Sequence, residues 1–595
     1  MDTGNSCSST YNEKPAMQRI QALASMVPAT ARNLIRVRRF HASTTSAVSQ
    51  GYKQANIVIV NKKFADDFEK FCLANSGALP LLYRSKPGEW GAPPLSSNSD
   101  IRTDCLRYRK YEKGIFTGYL KNLMQYTEHL KEMVTFYVGC SYSFESAVLE
   151  AGVPIRNVEQ RCNVSMYRTN IQCARVGGFQ CNTVVSMRPI PVDKLDVAVQ
   201  VSHCMVDAHG APIHIGHPES PLAFTHAPGS MFLTDLRSER LVTGDGTSRF
   251  ETPQVFCISE TPPHYSVASL SAVEKIRALE RLMQQDPGDR GIKHLFIEDQ
   301  LLKASLSLSH AKSVLITTGF PTHFNHQPPE ETDGPPGAIA MAAMLQAQKK
   351  GVVIVTDQRA LEMNKKIIEE AVEQGVMQAP VPVVSYQDDG DESPLMFLCH
   401  DGNPQFPRFD HLVAIERAGM AADGNYYNAR KANIKHLVDP IDKLFLAVKN
   451  IPGIVTTGIG DGGNELGMGK VKEAVKKYIP NGDLIACDVS VDFTVIAGVS
   501  NWAGYAMACA LHILSNCTVH ERYLHKAIGF PKVLDVDRYT AALPTIFKEE
   551  KLLALLVKHG IRSGKTGNLG MEVDGMLFHD VHSPMIKKLL EITLE

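Results

Sequence analysis

The chain has 595 residues, enough for about two to four domains. Its 62 basic and 63 acidic residues nearly cancel, so we expect no nucleic-acid partner and no membrane partner. The thirteen cysteines contain no CxxC pair and are odd in number, which argues against a disulfide scaffold and a structural zinc site. The composition therefore predicts a globular protein of a reducing compartment.

The first forty residues differ in composition from the rest. No Asp or Glu occurs between Lys14 and Ala65, whereas arginines and a Ser/Thr-rich stretch are frequent. This pattern is typical of a mitochondrial transit peptide, and it predicts a leader over residues 1–40, cleavage near Phe40 and a location in the mitochondrial matrix. A disordered basic tail is the alternative.

Two domains follow the leader. Residues 55–260 combine helical stretches with short apolar runs broken by Gly and Pro, which predicts a mixed α+β N-terminal domain. Residues 262–595 alternate continuous apolar strands with helices, which predicts an α/β C-terminal domain with a mostly parallel sheet covered by helices. Its predicted strands are "SVLITTG", "GVVIVTD", "VPVVSY", "HLVAIE", "GIVTTG" and "DLIACD". We interpret the apolar window 495–514 as a buried helix rather than a membrane span.

Polar loops follow three of the predicted strands. In parallel sheets ligands gather at the carboxyl ends of the strands, so these loops are candidates for one site. They contain Glu330, Glu331 and Asp333; Glu416, Arg417, Asp423, Asn425, Tyr426, Tyr427, Asn428 and Arg430; and Asp461, Asn464 and Glu465. Acids and glycines are common in solvated loops, but three such loops at one sheet edge favour function.

The loop "TTGIGDGGNELGMGK" (456–470) leaves several chemistries open. It matches GxGxxG, but Asp461 and Glu465 would repel a pyrophosphate. Its oxygen ligands suit a divalent cation such as Mg or Mn, and its backbone N–H groups could instead bind a substrate carboxylate. A tight structural turn is the remaining alternative. The loop "GIRSGKTG" (560–567) lacks the spacing of a phosphate-binding loop, so we expect no nucleotide cofactor.

Long polar stretches resemble a known family. "SLSLSHAKSVLITTGFPTHFNHQPPEETDGPPGA", "AADGNYYNARK" and "GDGGNELGMGKVKEAV" resemble the C-terminal half of the D-glutamate cyclase family. "FYVGCSYSFESAVLEAGVP", "VVSMRPIP" and "HGAPIHIGHP" resemble a bacterial hydro-lyase family that corresponds to its N-terminal half. The chain departs from the pattern after Glu219, where a segment of several tens of residues is missing, which puts a separate N-terminal activity in doubt.

The resemblance implies a hydro-lyase that cyclises D-glutamate, its small-molecule substrate, to 5-oxo-D-proline with loss of water. We hypothesise that Asp461 and Glu465, with Asp333 or Glu331, hold a divalent cation that polarises the γ-carboxyl group. Arg417 or Arg430 would bind the α-carboxylate, and Glu416 would take the ammonium proton.

Two other functions remain open on the same residues. One is a metal-dependent hydrolase or phosphatase, and the other is a non-catalytic protein that binds a small acid. A homo-oligomer is equally open, because the sequence carries no signal of oligomeric state.

Overall fold

The computed structural model describes residues 21–41, 44–160, 162–217, 222–224, 231–237, 251–525 and 536–595. The predicted deletion point after Glu219 and the first half of the predicted leader, residues 1–20, lie outside these ranges. The chain divides into two compact units. The N-terminal unit comprises residues Met1–Val255 and Arg522–Lys532, and the C-terminal unit comprises Phe256–Glu521 and Val533–Glu595.

The N-terminal unit contains antiparallel sheets. Its strands are β1 (Tyr52–Asn61), β2 (Leu81–Arg84), β3 (Tyr108–Glu112), β4 (Ile115–Leu120), β5 (Met133–Gly139), β6 (Ser165–Gln172), β7 (Asn182–Met187), β8 (Leu222–Phe224) and β9 (Met231–Arg237). Its helices are α1 (Pro28–Arg36), α2 (Ala65–Ala74), α3 (Thr127–Leu130), α4 (Tyr142–Glu150), α5 (Arg156–Glu159) and α6 (Leu195–His203). The main sheet has the order β2-β5-β1-β9, and a second sheet has the order β7-β6-β8.

Strand β5 contributes side chains to two core clusters of this unit. Successive side chains of a strand point to opposite faces, so Val134, Phe136 and Val138 pack on one side against Phe68 and the rest of the α2 core cluster. Tyr137 packs on the other side with Leu95 and Ile101. The apolar sequence "MVTFYVG" therefore becomes a strand buried on both faces.

Helix α1 lies within the predicted leader and packs against the N-terminal unit. Ala31 and Ile35 belong to a core cluster with Val48 and Leu233. The guanidinium group of Arg32 is 1% exposed and pairs with Asp235 at 2.9 Å. Cleavage near Phe40 stays a prediction, but it would remove this packed helix.

The C-terminal unit contains a parallel sheet. Its strands include β12 (Ser313–Gly319), β13 (Gly351–Thr356), β14 (Val383–Ser385), β15 (His411–Arg417), β16 (Val455–Gly460) and β17 (Phe493–Ile496), in the order β14-β13-β12-β15-β16-β17. The strand β10 (Pro253–Glu260) bridges the boundary and pairs with β11 (Pro263–Ser269), and β18 (Glu572–Val573) pairs with β19 (Met576–Leu577). All neighbouring pairs in the six-stranded sheet are parallel. The predicted α/β class is confirmed.

Helices surround this sheet. They are α7 (Leu270–Met283), α8 (Gln300–His310), α9 (Pro335–Ala347), α10 (Leu361–Glu373), α11 (Ser393–Leu398), α12 (Asp442–Ala447), α13 (Lys472–Tyr478), α14 (Gly482–Ile485), α15 (Ser500–Asn516), α16 (Thr518–His525), α17 (Val536–Ala541), α18 (Ile546–Lys558) and α19 (Ser583–Leu594). Helix α16 bridges the boundary between the two units. The predicted buried helix is α15, whose residues from Ser500 to Ser515 are all buried. In the described ranges, no helix has the length and hydropathy needed to cross a bilayer.

One predicted strand is wrong. The run "DLIACD" forms the helical turn α14 and a short extended segment, and the sixth strand is β17 further along the chain. The left-handed backbone of Asn481 (φ 64°) starts this turn, and Ile485 and Cys487 are buried beneath it. Short buried apolar runs do not distinguish a strand from a helical turn by periodicity.

Candidate active site

Six buried carboxylates meet at the carboxyl edge of the parallel sheet. They come from the loop between β12 and α9, from the end of β15, from the loop after β16 and from the turn after β18. They are Glu331, Asp333, Glu416, Asp461, Glu465 and Asp574. Parallel strands end at the same edge, which explains how residues distant in sequence come together. The structure thus brings five of the predicted site residues into one cluster.

Backbone N–H groups of the glycine-rich loop after β16 bind a carboxylate of the same loop. The carboxylate of Glu465 accepts hydrogen bonds from the backbone N–H groups of Asp461 at 3.0 Å, Gly462 at 2.5 Å and Gly463 at 2.6 Å. Successive N–H groups in such a loop form a concave anion site. Here the anion is internal, so the GxGxxG pattern shapes the loop around Glu465 and leaves these N–H groups no free place for a phosphate.

Asp333 lies at the start of the buried helix α15. Its carboxylate accepts hydrogen bonds from the backbone N–H groups of Ser500 at 3.0 Å and Asn501 at 2.8 Å. The first N–H groups of a helix lack partners within the helix and carry partial positive charge, so an acid there is stabilised. The Asn501 side chain also accepts the N–H groups of Gly334 and Gly337, which fixes α9 against α15.

Glu416, the next-to-last residue of strand β15, has an unusual backbone conformation. Its φ of 41° places a non-glycine residue in the left-handed region. Such strain persists only where the surroundings enforce it, and it is frequent at functional sites. The Glu416 carboxylate accepts a hydrogen bond of 2.6 Å from the Ser500 hydroxyl group, and its side chain is 6% exposed.

Arg290, from the segment between α7 and α8, enters the cluster. Arg290 pairs with Asp461 and, at 2.5 Å, with Asp574. Burial alone would lower the pKa of Arg290, but Asp461 and Asp574, together with the other nearby carboxylates, more than offset this effect and hold the pKa well above its ordinary value. Sequence analysis missed both Arg290 and Asp574. Their sequences, "DRG" and "VDG", are ordinary turn sequences, and neither follows one of the strands predicted from the sequence.

The loop 560–567 forms a further wall of the site. A Cβ atom at Gly564 would lie 1.6 Å from Oε2 of Glu331, so only glycine allows this approach. The backbone N–H of Thr332 donates to the carbonyl of Arg562 at 3.0 Å, which joins the two loops. The segment that resembles a phosphate-binding loop is therefore part of the carboxylate site.

The two predicted arginines differ in their surroundings. Arg417 is fully buried and donates to both carboxylate oxygens of Asp357 at 2.7 Å. Its guanidinium group therefore pairs with Asp357 and not with the carboxylates of the cluster. Arg430 is exposed and donates to the carbonyl of Lys565, in the loop that contacts Glu331. His323 is buried beside Ser563 of the same loop, and burial lowers its pKa, an effect to which His326 and Arg430 add.

Among the described residues, the carboxylates of the cluster outnumber the basic groups that pair with them. Burial, reinforced by neighbouring carboxylates, raises the pKa of Glu331 and Glu416 well above their ordinary values. Burial also raises the pKa of Asp461 well above its ordinary value in spite of Arg290, and the pKa of Asp333 to about 7. Carboxyl groups that stay protonated near neutral pH can act as general acids, so the cluster supports proton transfer.

The cluster also contains oxygen ligands for a cation. Asp333, Asp461 and Asp574 offer carboxylate oxygens within 4.8 Å of one another, and so do Glu416, Asp461 and Glu465. Hard divalent cations prefer ligands of this kind, and a cation would relieve the excess negative charge. Glu331, which we predicted as a ligand, is in neither group.

A cluster of buried carboxylates with raised pKa values at the carboxyl edge of a parallel α/β sheet is typical of an enzyme active site. Comparisons with known proteins identify the family. A family profile described as "D-glutamate cyclase-like, C-terminal" matches residues 279–590, and one described as "D-glutamate cyclase" matches residues 134–221. The human protein "D-glutamate cyclase, mitochondrial" is 50% identical over 96% of this chain and 98% of its own length. The chain therefore belongs to the D-glutamate cyclase family.

The N-terminal half has bacterial relatives of its own. A protein of Stutzerimonas stutzeri named "Putative hydro-lyase" is 38% identical over 37% of this chain and 98% of its own length. A protein of the same name from Clostridium beijerinckii is 45% identical over 33% of this chain and 73% of its own length. These relatives correspond to the N-terminal unit without the C-terminal one.

Proposed function

We propose that the protein converts D-glutamate to 5-oxo-D-proline and water in the mitochondrial matrix. The observation that carries this proposal is the cluster of six buried carboxylates, in a chain that is 50% identical to a D-glutamate cyclase. The human relative is named mitochondrial, which agrees with the acid-poor N-terminal sequence.

The reaction needs both a base and an acid. The ammonium group must lose a proton before the nitrogen can attack the γ-carboxyl carbon, and one carboxyl oxygen must leave as water. Two protons from the nitrogen depart with that oxygen, so the reaction balances without another reactant. Ring closure is intramolecular, so holding the two ends together supplies several kcal/mol of the barrier.

We assign the proton transfers to two carboxyl groups. Glu416 accepts a hydrogen bond from Ser500 and has a raised pKa, which suits a base that takes the ammonium proton. Glu331 is buried, and burial together with the neighbouring Asp574 and Asp333 raises its pKa, which suits a protonated acid that gives a proton to the leaving oxygen. The raised pKa makes the ionised carboxylate of Glu416 a stronger base than an ordinary carboxylate, whereas Glu331 acts in its protonated form.

Arg430 is our choice for binding the α-carboxylate. It is exposed at the loop that contacts Glu331, whereas Arg417 is held by Asp357. A guanidinium group binds a carboxylate through two parallel hydrogen bonds, which also fixes its orientation. Substrate would thus lie between a cationic rim and the acidic cluster.

Mg²⁺ or Mn²⁺ fits the oxygen ligands of Asp333, Asp461 and Asp574. Such a cation would supply Lewis acidity toward the γ-carboxyl group. The proposed ligands now include Asp574, in addition to the residues predicted from sequence.

The test is to measure 5-oxoproline formed by the purified full-length chain from D- and L-glutamate, with a panel of phosphoesters as alternative substrates. We expect turnover of D-glutamate, a loss of at least 100-fold in Glu331→Gln and Asp461→Asn, and no phosphoester cleavage. The exposed variant Glu473→Gln is the matched control. Full activity in both site variants, before and after chelation, would reject the proposed site.

A further inference from the structure

The strands β3 and β4 form a hairpin with an exposed apolar end. Among the described strands they pair only with each other, and a turn at Lys113 and Gly114 joins them. At the base of the hairpin, Tyr108 and Leu120 lie opposite each other and pack in the core cluster of Ile101. The exposed side chains towards the turn are Tyr111 (54%), Ile115 (69%), Phe116 (41%) and Tyr119 (51%). Exposed apolar groups that adjoin one another mark interaction sites.

Aromatic and arginine side chains cover one face of this hairpin. Side chains two positions apart in a strand share a face, so Arg109 and Tyr111 point the same way. Their partners across the hairpin, Tyr119 and Phe116, lie on the same face. The ring centroid of Phe116 lies 5.7 Å from that of Tyr111 and 5.1 Å from that of Tyr119. Cζ of Arg109 lies 4.9 Å from the Phe116 centroid, and Cζ of Arg107 lies 4.9 Å from the Tyr119 centroid. These five side chains therefore form one contiguous surface, the hairpin face.

The hairpin carries a local excess of positive charge. Residues 107–121 include a single acid, Glu112, whose carboxylate pairs with Lys110 at 2.6 Å. The basic residues of this segment are Arg107, Arg109, Lys110, Lys113 and Lys121. The balanced charge of the whole chain, from which we expect no membrane partner, averages over this excess. The hairpin itself complements a surface that is anionic and has an apolar layer beneath its charges.

Three other occupants fit this surface less well. A two-fold contact with a second copy of the chain would place the same positive charges opposite one another. Nucleic-acid bases that stack on the rings would compete with Arg107 and Arg109, which already lie over Tyr119 and Phe116. A stable protein interface uses about 20–30 residues on each side, more than the exposed end of the hairpin offers.

An anionic lipid bilayer fits the hairpin without a matched pocket. Aromatic side chains favour the membrane–water interface, and lysine and arginine side chains are attracted to anionic headgroups. Ile115 and Phe116 directly follow the turn, so they would enter the boundary of the acyl layer. The long basic side chains on either side of them reach the level of the headgroups.

We propose that the β3–β4 hairpin docks the N-terminal unit on an anionic lipid surface. The contact is peripheral, because only the end of the hairpin enters the interface. The proposal does not depend on the proposed function, since the hairpin shares no residue with the carboxylate cluster of the C-terminal unit.

Sedimentation of the full-length chain with lipid vesicles tests this contact. One set of vesicles contains phosphatidylcholine alone, and the other contains phosphatidylcholine and phosphatidylglycerol in equal parts. Ile115→Ser and Phe116→Ser remove apolar groups from the end of the hairpin, and Lys113→Glu reverses a charge beside them. Phe547→Ser and Lys70→Glu, at exposed positions elsewhere in the chain, are the matched controls. Melting curves verify that each variant is folded.

We expect wild type to bind the anionic vesicles and not the neutral ones. Affinity should fall about 10-fold or more in Lys113→Glu, because the reversal replaces an attraction to the surface by a repulsion, and it should fall in both serine variants as well. The two controls should bind like wild type.

Three results would overturn the contact: binding of wild type to neither kind of vesicle, equal binding to both, or unchanged affinity in folded Ile115→Ser and Lys113→Glu. Binding of single-stranded RNA in place of vesicles, lost in the same variants, would overturn it too and identify a nucleic acid as the partner. Formation of 5-oxoproline without lipid is measured separately, so a failure of the proposed function is distinguishable from a failure of the contact.

Discussion

Gly564 lies so close to Glu331 that a single methyl group at position 564 would overlap Oε2 of the carboxylate, at 1.6 Å. The C-terminal loop therefore sets where the proposed general acid lies. The contact thus joins two segments that lie more than 200 residues apart in the chain, and both determine the position of the Glu331 carboxylate.

Gly564→Ala should reduce activity by about 100-fold while the protein stays folded, because a displacement of about 1 Å at a reacting group has an effect of that order. Gly570→Ala is the control, since a Cβ atom there meets nothing within 4 Å. Steady-state formation of 5-oxoproline measures the effect. Equal activity in the two variants would show that the position of Glu331 is unimportant.

Glu465 should act mainly through the shape of its loop. In Glu465→Ala the N–H groups of Asp461, Gly462 and Gly463 lose their acceptor, and buried unpaired donors cost about 1–3 kcal/mol each. We expect lower stability together with lost activity, measured by urea unfolding and turnover. Glu473→Gln, on the exposed side of α13, should change neither.

Substitution of Arg417 should lower stability, whereas substitution of Arg430 should weaken substrate binding. Arg417→Met removes the fully buried partner of Asp357 and leaves this carboxylate with the partly exposed Arg359, so we expect a loss of about 3 kcal/mol in the free energy of unfolding. Arg430→Met should leave the unfolding midpoint unchanged but raise KM for D-glutamate at least 10-fold. The neighbouring Lys431→Met serves as the control. An unaltered KM in Arg430→Met would exclude this arginine from substrate binding.

Glu549 should make stability depend on pH. Burial raises its folded pKa to about 8 from 4.5, so the folded state holds a proton that the unfolded state has lost. The stabilisation is complete below pH 4.5 and is lost as pH rises toward 8. At 1.36 kcal/mol per pKa unit, the difference between wild type and Glu549→Gln should shift by on the order of 3 kcal/mol between pH 5 and 8.5, in favour of the variant. Urea unfolding at both pH values measures this shift, and parallel pH curves would contradict it.

The predicted leader can be tested through helix α1. A chain that begins at residue 41 loses Arg32 and Arg36, the two arginines with which the buried Asp104 (0% exposed) pairs among the described residues. Its N-terminal unit should be less stable than that of a chain beginning at residue 21, by about 3–5 kcal/mol for the uncompensated buried charge. Differential scanning calorimetry compares the two, and sequencing the mature mitochondrial protein locates the cleavage.

The amino-acid sequence by itself determined the α/β class and five of the six predicted strands of the C-terminal unit, because a strand buried on both faces of a parallel sheet must be continuously apolar. It also pointed to five carboxylates of the site, since polar loops after such strands meet at one edge. Local pattern failed at "DLIACD", where a buried turn has the same composition as a strand.

Only the tertiary structure decided which charges face one another. Arg290 and Asp574 lie in turns that no sequence pattern marks, yet packing brings both into the cluster. Arg417 ends the same strand that contains Glu416, but it pairs with Asp357. The same packing fills the glycine-rich loop with its own Glu465. Charge pairing depends on distances of a few ångströms between segments far apart in the chain, and no local pattern of residues encodes those distances.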